Sequence, residues 1–248
     1  FTNNWQDELW LVAGGIFGGS LYFFTENTAL GITQASNVSF IICTAPLLTT
    51  ILSLLFYKSE KASKGLIYGS LLALMGVGLI VFNGSFVLKI SPIGDLLTLL
   101  AALSWAFYSL IIKKMAGRYP TIFITRKIFF YGVLTILPAF LLHPLHPDTA
   151  VLLQPAVLFN LLFLAVLASL ICYVLWNVVL KQLGTVRASN YIYLNPLVTM
   201  IASFLILDEK ITLVALGGAA CIVCGVYWAE KKNGGVSVRV EFMVDTDI

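Results

Sequence analysis

Of 248 residues, 59% are hydrophobic and only 11% charged, and mean hydropathy is +0.94. A soluble domain carries about 25% charged residues, so composition excludes one and points to a single helical bundle in a membrane. The net charge of +3 gives no sign of nucleic-acid binding.

A bilayer core about 30 Å thick needs about 20 mostly apolar residues in a helix. Eight stretches are expected to span: roughly 9–31, 36–57, 65–83, 94–113, 120–142, 156–180, 186–207 and 211–229. The fifth is the least clean, because Arg126 and Lys127 sit inside it. Short polar connections with turn residues, such as Pro92 with Gly94 and Pro144 with Pro147, separate the stretches. An open sheet would leave its edge N–H and C=O groups unsatisfied in lipid. A barrel would show alternating segments of about ten residues, and these runs are continuous. The tail from Asn233 onward is polar and carries no readable motif.

Lys and Arg are unevenly placed. Alternate connections hold Lys58, Lys61 and Lys64, then Lys113, Lys114, Arg118, Arg126 and Lys127, then Lys181 and Arg187, and finally Lys231 and Lys232. The others hold Lys89 and Lys210. The positive-inside bias therefore predicts a cytoplasmic C-terminus.

The chain also repeats itself. At an offset of 150, Asn27 meets Asn177 and Pro46 meets Pro196. After a one-residue slip, Glu60 meets Glu209, Lys61 Lys210, Ser63 Thr212, Gly69 Gly218, Gly76 Gly225 and Val77 Val226. Spans 1–3 thus match spans 6–8, five spans on, so the copies must be inverted. Inverted repeats with a site between them are a common secondary-transporter architecture. Spans 4 and 5 have no partner, which predicts a ten-span parent whose first two spans precede Phe1.

The segments Phe24-Thr25-Glu26-Asn27-Thr28-Ala29-Leu30, Ala45-Pro46-Leu47-Leu48-Thr49 and Gly76-Val77-Gly78-Leu79 resemble the EamA-like ten-helix transporters of the drug/metabolite transporter superfamily. So do Gly94-Asp95-Leu96-Leu97, Leu103-Ser104-Trp105-Ala106, Asp208-Glu209-Lys210, and Ala188-Ser189-Asn190-Tyr191-Ile192-Tyr193-Leu194-Asn195-Pro196. The resemblance covers nearly all of residues 9–229. It implies residues 1–83 as the last three helices of a first repeat, 94–229 as a complete second repeat and 230–248 as a polar tail. It also implies outward movement of amino acids, metabolites or drugs across a bacterial inner membrane.

Candidate site residues follow from chemistry misplaced in lipid. Glu26 is the only acid deep in an apolar run, and an intramembrane acid is a functional candidate by default. It is expected to contact substrate and, if it lines a cavity, to carry a proton between two states. It also lies near the outer end of span 1, where water could solvate it. Asn27 and Asn177 form a repeat-related pair suited to an interhelical hydrogen bond, a substrate contact or both. Trp105 and Tyr108 share one face of span 4, and Tyr173, Trp176 and Asn177 share one face of span 6. These two faces are the expected pocket, with Tyr191, Tyr193 and Asn195 adding polar groups. Span-end aromatics also serve as interface anchors. Pro46 and Pro196 are expected to bend spans 2 and 7 and so to gate access. Arg126 either snorkels to the cytoplasmic face with Lys127 or faces the cavity and attracts an anion.

Other features read as structural. Gly14 with Gly18, and Gly15 with Gly19, permit close helix approach. Ser63 and Thr212 are expected to cap spans 3 and 8. Cys43, Cys172, Cys221 and Cys224 all lie in apolar stretches and imply no disulfide framework. Cys221 and Cys224 have no further ligand nearby, and prolines interrupt His143, His146 and Asp148, so no metal or other cofactor is expected. With no phosphate-binding loop in sight, an ion gradient or plain facilitation would drive transport. The expected partners are a small molecule and the bilayer, with a homodimer also considered. The competing readings are a membrane-embedded enzyme acting on lipid-like substrates and a non-transporting scaffold.

Overall fold

The computed structural model describes residues 2, 4–57, 63–82, 91–142, 149–207 and 211–231, and all regular elements among them are helical. Glu60, Lys61, Lys89, His143, His146, Asp148, Asp208, Glu209, Lys210, Lys232 and the tail lie outside the described residues.

Helix α1 (Trp5–Gly15) runs through a π-helical segment, Ile16–Ser20, into α2 (Leu21–Ile32). Asn4 Oδ1 caps it by accepting from the Asp7 N–H at 2.8 Å. Helices α3 (Ala35–Ile42) and α4 (Ala45–Phe56) form one broken rod, interrupted at Cys43 and Thr44. Then come α5 (Lys64–Phe82), α6 (Pro92–Ala116), α7 (Thr121–Ile136) and the short α8 (Ala139–Leu142) and α9 (Thr149–Leu152). Helix α10 (Pro155–Leu162) passes through a second π-helical segment, Phe163–Ile171, into α11 (Cys172–Leu183). Gly184, at φ 79°, makes the turn into α12 (Thr185–Asn190). A 3-10 turn, Tyr191–Leu194, joins α12 to α13 (Asn195–Leu207), and α14 (Leu213–Lys231) closes the bundle.

Six helices among the described residues are long and apolar enough to cross a membrane, not the eight expected. The first expected span is present as the helical run Trp5–Ile32, but five glycines together with Glu26, Asn27 and two threonines dilute its hydropathy. The fifth stops at Ile136, just ahead of Pro138, which has no N–H to continue the ladder. Its 16 residues reach about 24 Å, short of the hydrocarbon thickness.

The repeat is visible in three dimensions. Shifted by 150, the first π segment falls inside the second, and the Cys43–Thr44 break falls on Tyr193–Leu194. Ser63 Oγ accepts from the Leu66 N–H and Thr212 Oγ1 from the Ala215 N–H, each at 3.1 Å, so both expected caps are made. Helices α5 and α14 cross antiparallel through glycines exchanged by the repeat. A Cβ on Gly76 would lie 2.5 Å from the Gly218 carbonyl oxygen, and one on Gly225 2.6 Å from that of Gly69. Gly69 corresponds to Gly218 and Gly76 to Gly225, so each contact is the image of the other about a pseudo-two-fold axis. Beside this crossing, Cys43 and Tyr193, themselves repeat-related, share a buried cluster with Ala73, Val77 and Ile222. A second, larger cluster joins α1, α6, α7 and α11 through Leu11, Tyr108, Ile112, Met115, Ile128 and Tyr173.

Pro46 and Pro196 are each the second residue of the helix that resumes after a break, α4 and α13. Neither therefore removes a mid-helix hydrogen bond, because a first-turn N–H has no intrahelical partner to lose. The bend expected at each proline is instead a break just ahead of it. The close approach expected of the span-1 glycines is present. A Cβ on Gly15 would meet Tyr131 Cβ at 2.6 Å, and one on Gly19 would meet Gly132 Cα at 3.0 Å.

Candidate functional site

Residues one turn apart on α6 and on α11 turn toward the first π segment. The Trp105 ring stacks near Tyr108 at 5.1 Å between centroids, Tyr173 at 5.7 Å and Trp176 at 5.9 Å. Tyr22 of α2 closes on the other side of Trp105 at 5.1 Å, and Phe129 of α7 lies 5.1 Å from Tyr173. These distances suit offset or edge-on aromatic pairs.

The π segment explains part of this geometry. A widened turn frees carbonyls from the i→i−4 ladder. Gly18 O accepts from the Tyr173 hydroxyl at 2.7 Å, and Phe17 O accepts from Ser104 at 2.8 Å. Gly18 has no side chain because the Tyr108 ring occupies that space: a Cβ there would stand 2.7 Å from Tyr108 Cε2.

Under the rings runs a buried polar chain. The Tyr108 hydroxyl donates to Asn177 Oδ1 at 2.6 Å, and Asn177 Nδ2 donates to Thr125 Oγ1 at 2.9 Å. Thr125 donates onward to Thr121 O at 2.9 Å. Three helices are tied together at Asn177, as an amide with both a donor and an acceptor allows. Glu26 is half-buried and accepts from the Tyr22 hydroxyl at 3.0 Å. Tyr173 stands within electrostatic reach of Glu26. The indole nitrogens of Trp105 and Trp176 are buried without a hydrogen-bond partner among the described residues.

Thus the structure brings together Glu26, Trp105, Tyr108, Tyr173, Trp176 and Asn177. Tyr193 is buried in the neighbouring cluster with Cys43. Asn27 does not join its repeat partner: it is exposed and donates to Phe23 O of its own helix at 2.7 Å. Tyr191 and Asn195 are exposed on either side of the second break. Arg126 is exposed with its guanidinium 5.4 Å from the Phe123 ring centroid. Lys127 reaches Glu8 at 2.6 Å. Tyr22, Phe129 and Thr125 were not foreseen. Tyr22 had a signal, since it stands four residues before Glu26 and so on the same helix face.

At the N-terminal end of α1 lies a charged cluster. Asp7, almost fully buried, accepts from Arg118 at 2.6 Å and from the Tyr119 hydroxyl at 2.9 Å. Glu8 takes Lys127 and the Tyr131 hydroxyl. These pairs tie α1 to α7 and to the turn between α6 and α7.

The two repeats, inverted and meeting at this aromatic site, match one family description on both sides of the 83–91 connection, "EamA-like transporter family", over residues 1–82 and 92–229. The chain belongs to the EamA-like transporter family.

An Archaeoglobus fulgidus protein described as an uncharacterized transporter is 30% identical over 218 residues, covering 87% of this chain and 74% of that one. A Salmonella typhimurium protein described as a probable amino-acid metabolite efflux pump is 29% identical over 182 residues, 69% of this chain and 60% of that one. A solved crystal structure shares the fold with a TM-score of 0.76 over 92% of this chain and 77% of that one, at 19% identity. This EamA-like transporter is therefore an integral, multi-pass membrane protein.

In this transporter Asn177 should be the most sensitive of the polar positions. Asn177→Leu orphans the buried Tyr108 hydroxyl on α6, at a cost of about 1–3 kcal/mol, and removes a donor from Thr125 on α7, which keeps its bond to Thr121 O. Thermal unfolding in detergent should show the loss. Adding Tyr108→Phe should recover part of it, because the stranded hydroxyl goes too. Additive losses would mean that the Tyr108–Asn177 bond is not made.

Proposed function

We propose that this EamA-like transporter exports small organic metabolites or amino acids by alternating access, with substrate held at the Trp105–Tyr108–Tyr173–Trp176–Asn177 cluster. The observation that carries this reading is the position of that cluster. It lies where α2, from one repeat, packs on α6 and α11, from the other, so relative motion of the repeats would reshape it. Rings supply an apolar wall, and the two unpartnered indole N–H groups supply donors that fix a substrate's orientation. The breaks ahead of Pro46 and Pro196 serve as hinges, since a helix bends most readily where its hydrogen bonds are already interrupted. The Salmonella relative, described as an efflux pump, supports the outward direction. The protein works in the plasma membrane with its C-terminus in the cytoplasm, as the Lys/Arg bias favours.

Glu26 is the coupling group in this scheme, taking up and releasing a proton as the site turns from one side to the other. The test is flux in proteoliposomes carrying the full chain, preloaded with candidate metabolites under an imposed pH gradient. Counterflow supports transport; product formed without flux would favour the enzyme instead. Glu26→Gln should abolish gradient-driven accumulation while leaving exchange at equal pH measurable. Undiminished accumulation by that variant would remove Glu26 from the coupling mechanism.

A further inference from the structure

The described cations are all engaged or exposed away from the aromatic cluster. Arg118 binds Asp7, Lys127 binds Glu8, and Arg187 binds Glu230 at 2.7 Å. Lys113 lies over Tyr57, Lys114 over Trp10, Arg126 over Phe123 and Lys231 over Tyr227. Lys64 and Lys181 are exposed at helix ends. Glu26 therefore has no positive partner among the described residues; its described polar partner is the neutral Tyr22 hydroxyl. Tyr22 links Glu26 to the rings: its hydroxyl donates to Glu26, its ring lies 5.1 Å from that of Trp105, and Trp105 in turn lies 5.7 Å from Tyr173.

Such a setting is selective by charge. A carboxylate left without a counter-ion in an apolar medium is costly. Aromatic faces, tryptophan best of all, attract a cation electrostatically. Both effects favour a positive ligand, and both oppose a negative one, which would meet Glu26 as a like charge.

We propose that this site takes an organic cation, a protonated or quaternary amine on a small apolar body, and discriminates against carboxylate anions. The amine sits between Glu26 and the rings, and the Trp105 and Trp176 N–H groups are left for a neutral acceptor oxygen such as an amide or hydroxyl. This rests on the substrate-site reading above and narrows it: within the metabolites considered, amines and amino amides are preferred and simple carboxylic acids rejected.

The full chain, in lipid nanodiscs at pH 7, is titrated with two probes of matched ring and size, 2-phenylethylammonium and 3-phenylpropionate, read by tryptophan fluorescence. The ammonium should bind at least about tenfold tighter. Glu26→Gln should reduce that preference to about twofold or less, and Glu26→Asp should keep most of it. Should Glu26→Gln fail to fold, the wild-type comparison decides alone. Equal or tighter binding of the carboxylate, or no binding of either probe, overturns the proposal. Proteoliposome counterflow separates the two readings. Flux of acids by a protein without ammonium preference leaves transport standing and overturns the cation site, whereas absence of flux for every class overturns transport itself.

Discussion

Gly18→Ala should abolish transport and lower stability by about 1–3 kcal/mol, the usual range for overpacking a filled core. The new methyl would stand 2.7 Å from Tyr108 Cε2 and Cγ, well inside van der Waals contact. Tyr108 cannot easily give way, since it is fully buried and its hydroxyl is held by Asn177. Movement of that ring also disturbs Trp105 and Tyr173, which pack on it. Backbone retreat would instead stretch the bond from Tyr173 to Gly18 O. The two costs fall on the proposed substrate cluster, so activity should suffer more than stability. Thermal unfolding in detergent, alongside counterflow, checks both. Tyr108→Leu, which makes room, should partly rescue the stability of Gly18→Ala. Wild-type stability and flux in the single variant would show that the helices do not meet as described.

Arg118→Ala should be the most damaging change at the charged end of α1, and more damaging than Asp7→Asn. The asymmetry follows from exposure. The Arg118 side chain is 52% exposed and can be solvated if its partner goes, whereas that of Asp7 is 3% exposed and cannot. Breaking a fully buried pair costs about 3–5 kcal/mol. Half of this pair is at the surface, where solvent weakens it, so about 1–3 kcal/mol is the expected loss. Tyr119 still donates to Asp7, which limits the damage. The double variant Arg118→Ala with Asp7→Asn should regain much of that loss, because no buried charge is left unpaired. Denaturation midpoints of the four proteins complete the cycle, and a coupling near zero would show that the bond between Asp7 and Arg118 is not what holds α1 to the α6–α7 turn.

Membrane helices and their order were legible because lipid imposes a simple rule: a backbone in hydrocarbon must satisfy itself, and long apolar runs mark where it does. The span-5 boundary was misread because Pro138 ends the hydrogen-bond ladder inside a stretch that is apolar by composition. The caps at Ser63 and Thr212 were local, one turn long, and so readable. Trp105, Tyr108, Tyr173, Trp176 and Asn177 were found from helical spacing, which fixes a shared face but not which face turns inward. Asn27 shows the limit of that reasoning. Its repeat partner, Asn177, is buried in the site, whereas Asn27 bonds its own backbone and faces out. Sequence equivalence survives an inversion, but environment need not, because α11 packs on α6 and α7 while Asn27 meets no such pair.

A bundle of membrane helices built from an inverted repeat is already announced by the primary structure. Hydropathy and a fixed offset between matching residues are properties of the chain alone. Which polar groups meet is set by the folded arrangement. It drew Lys127 to Glu8 and Arg118 to Asp7, left Arg126 outside, and set Tyr22 against Trp105. Those pairings depend on how widely separated helices cross, and the crossings are set by glycine contacts and a π-helical turn that no local spacing announces.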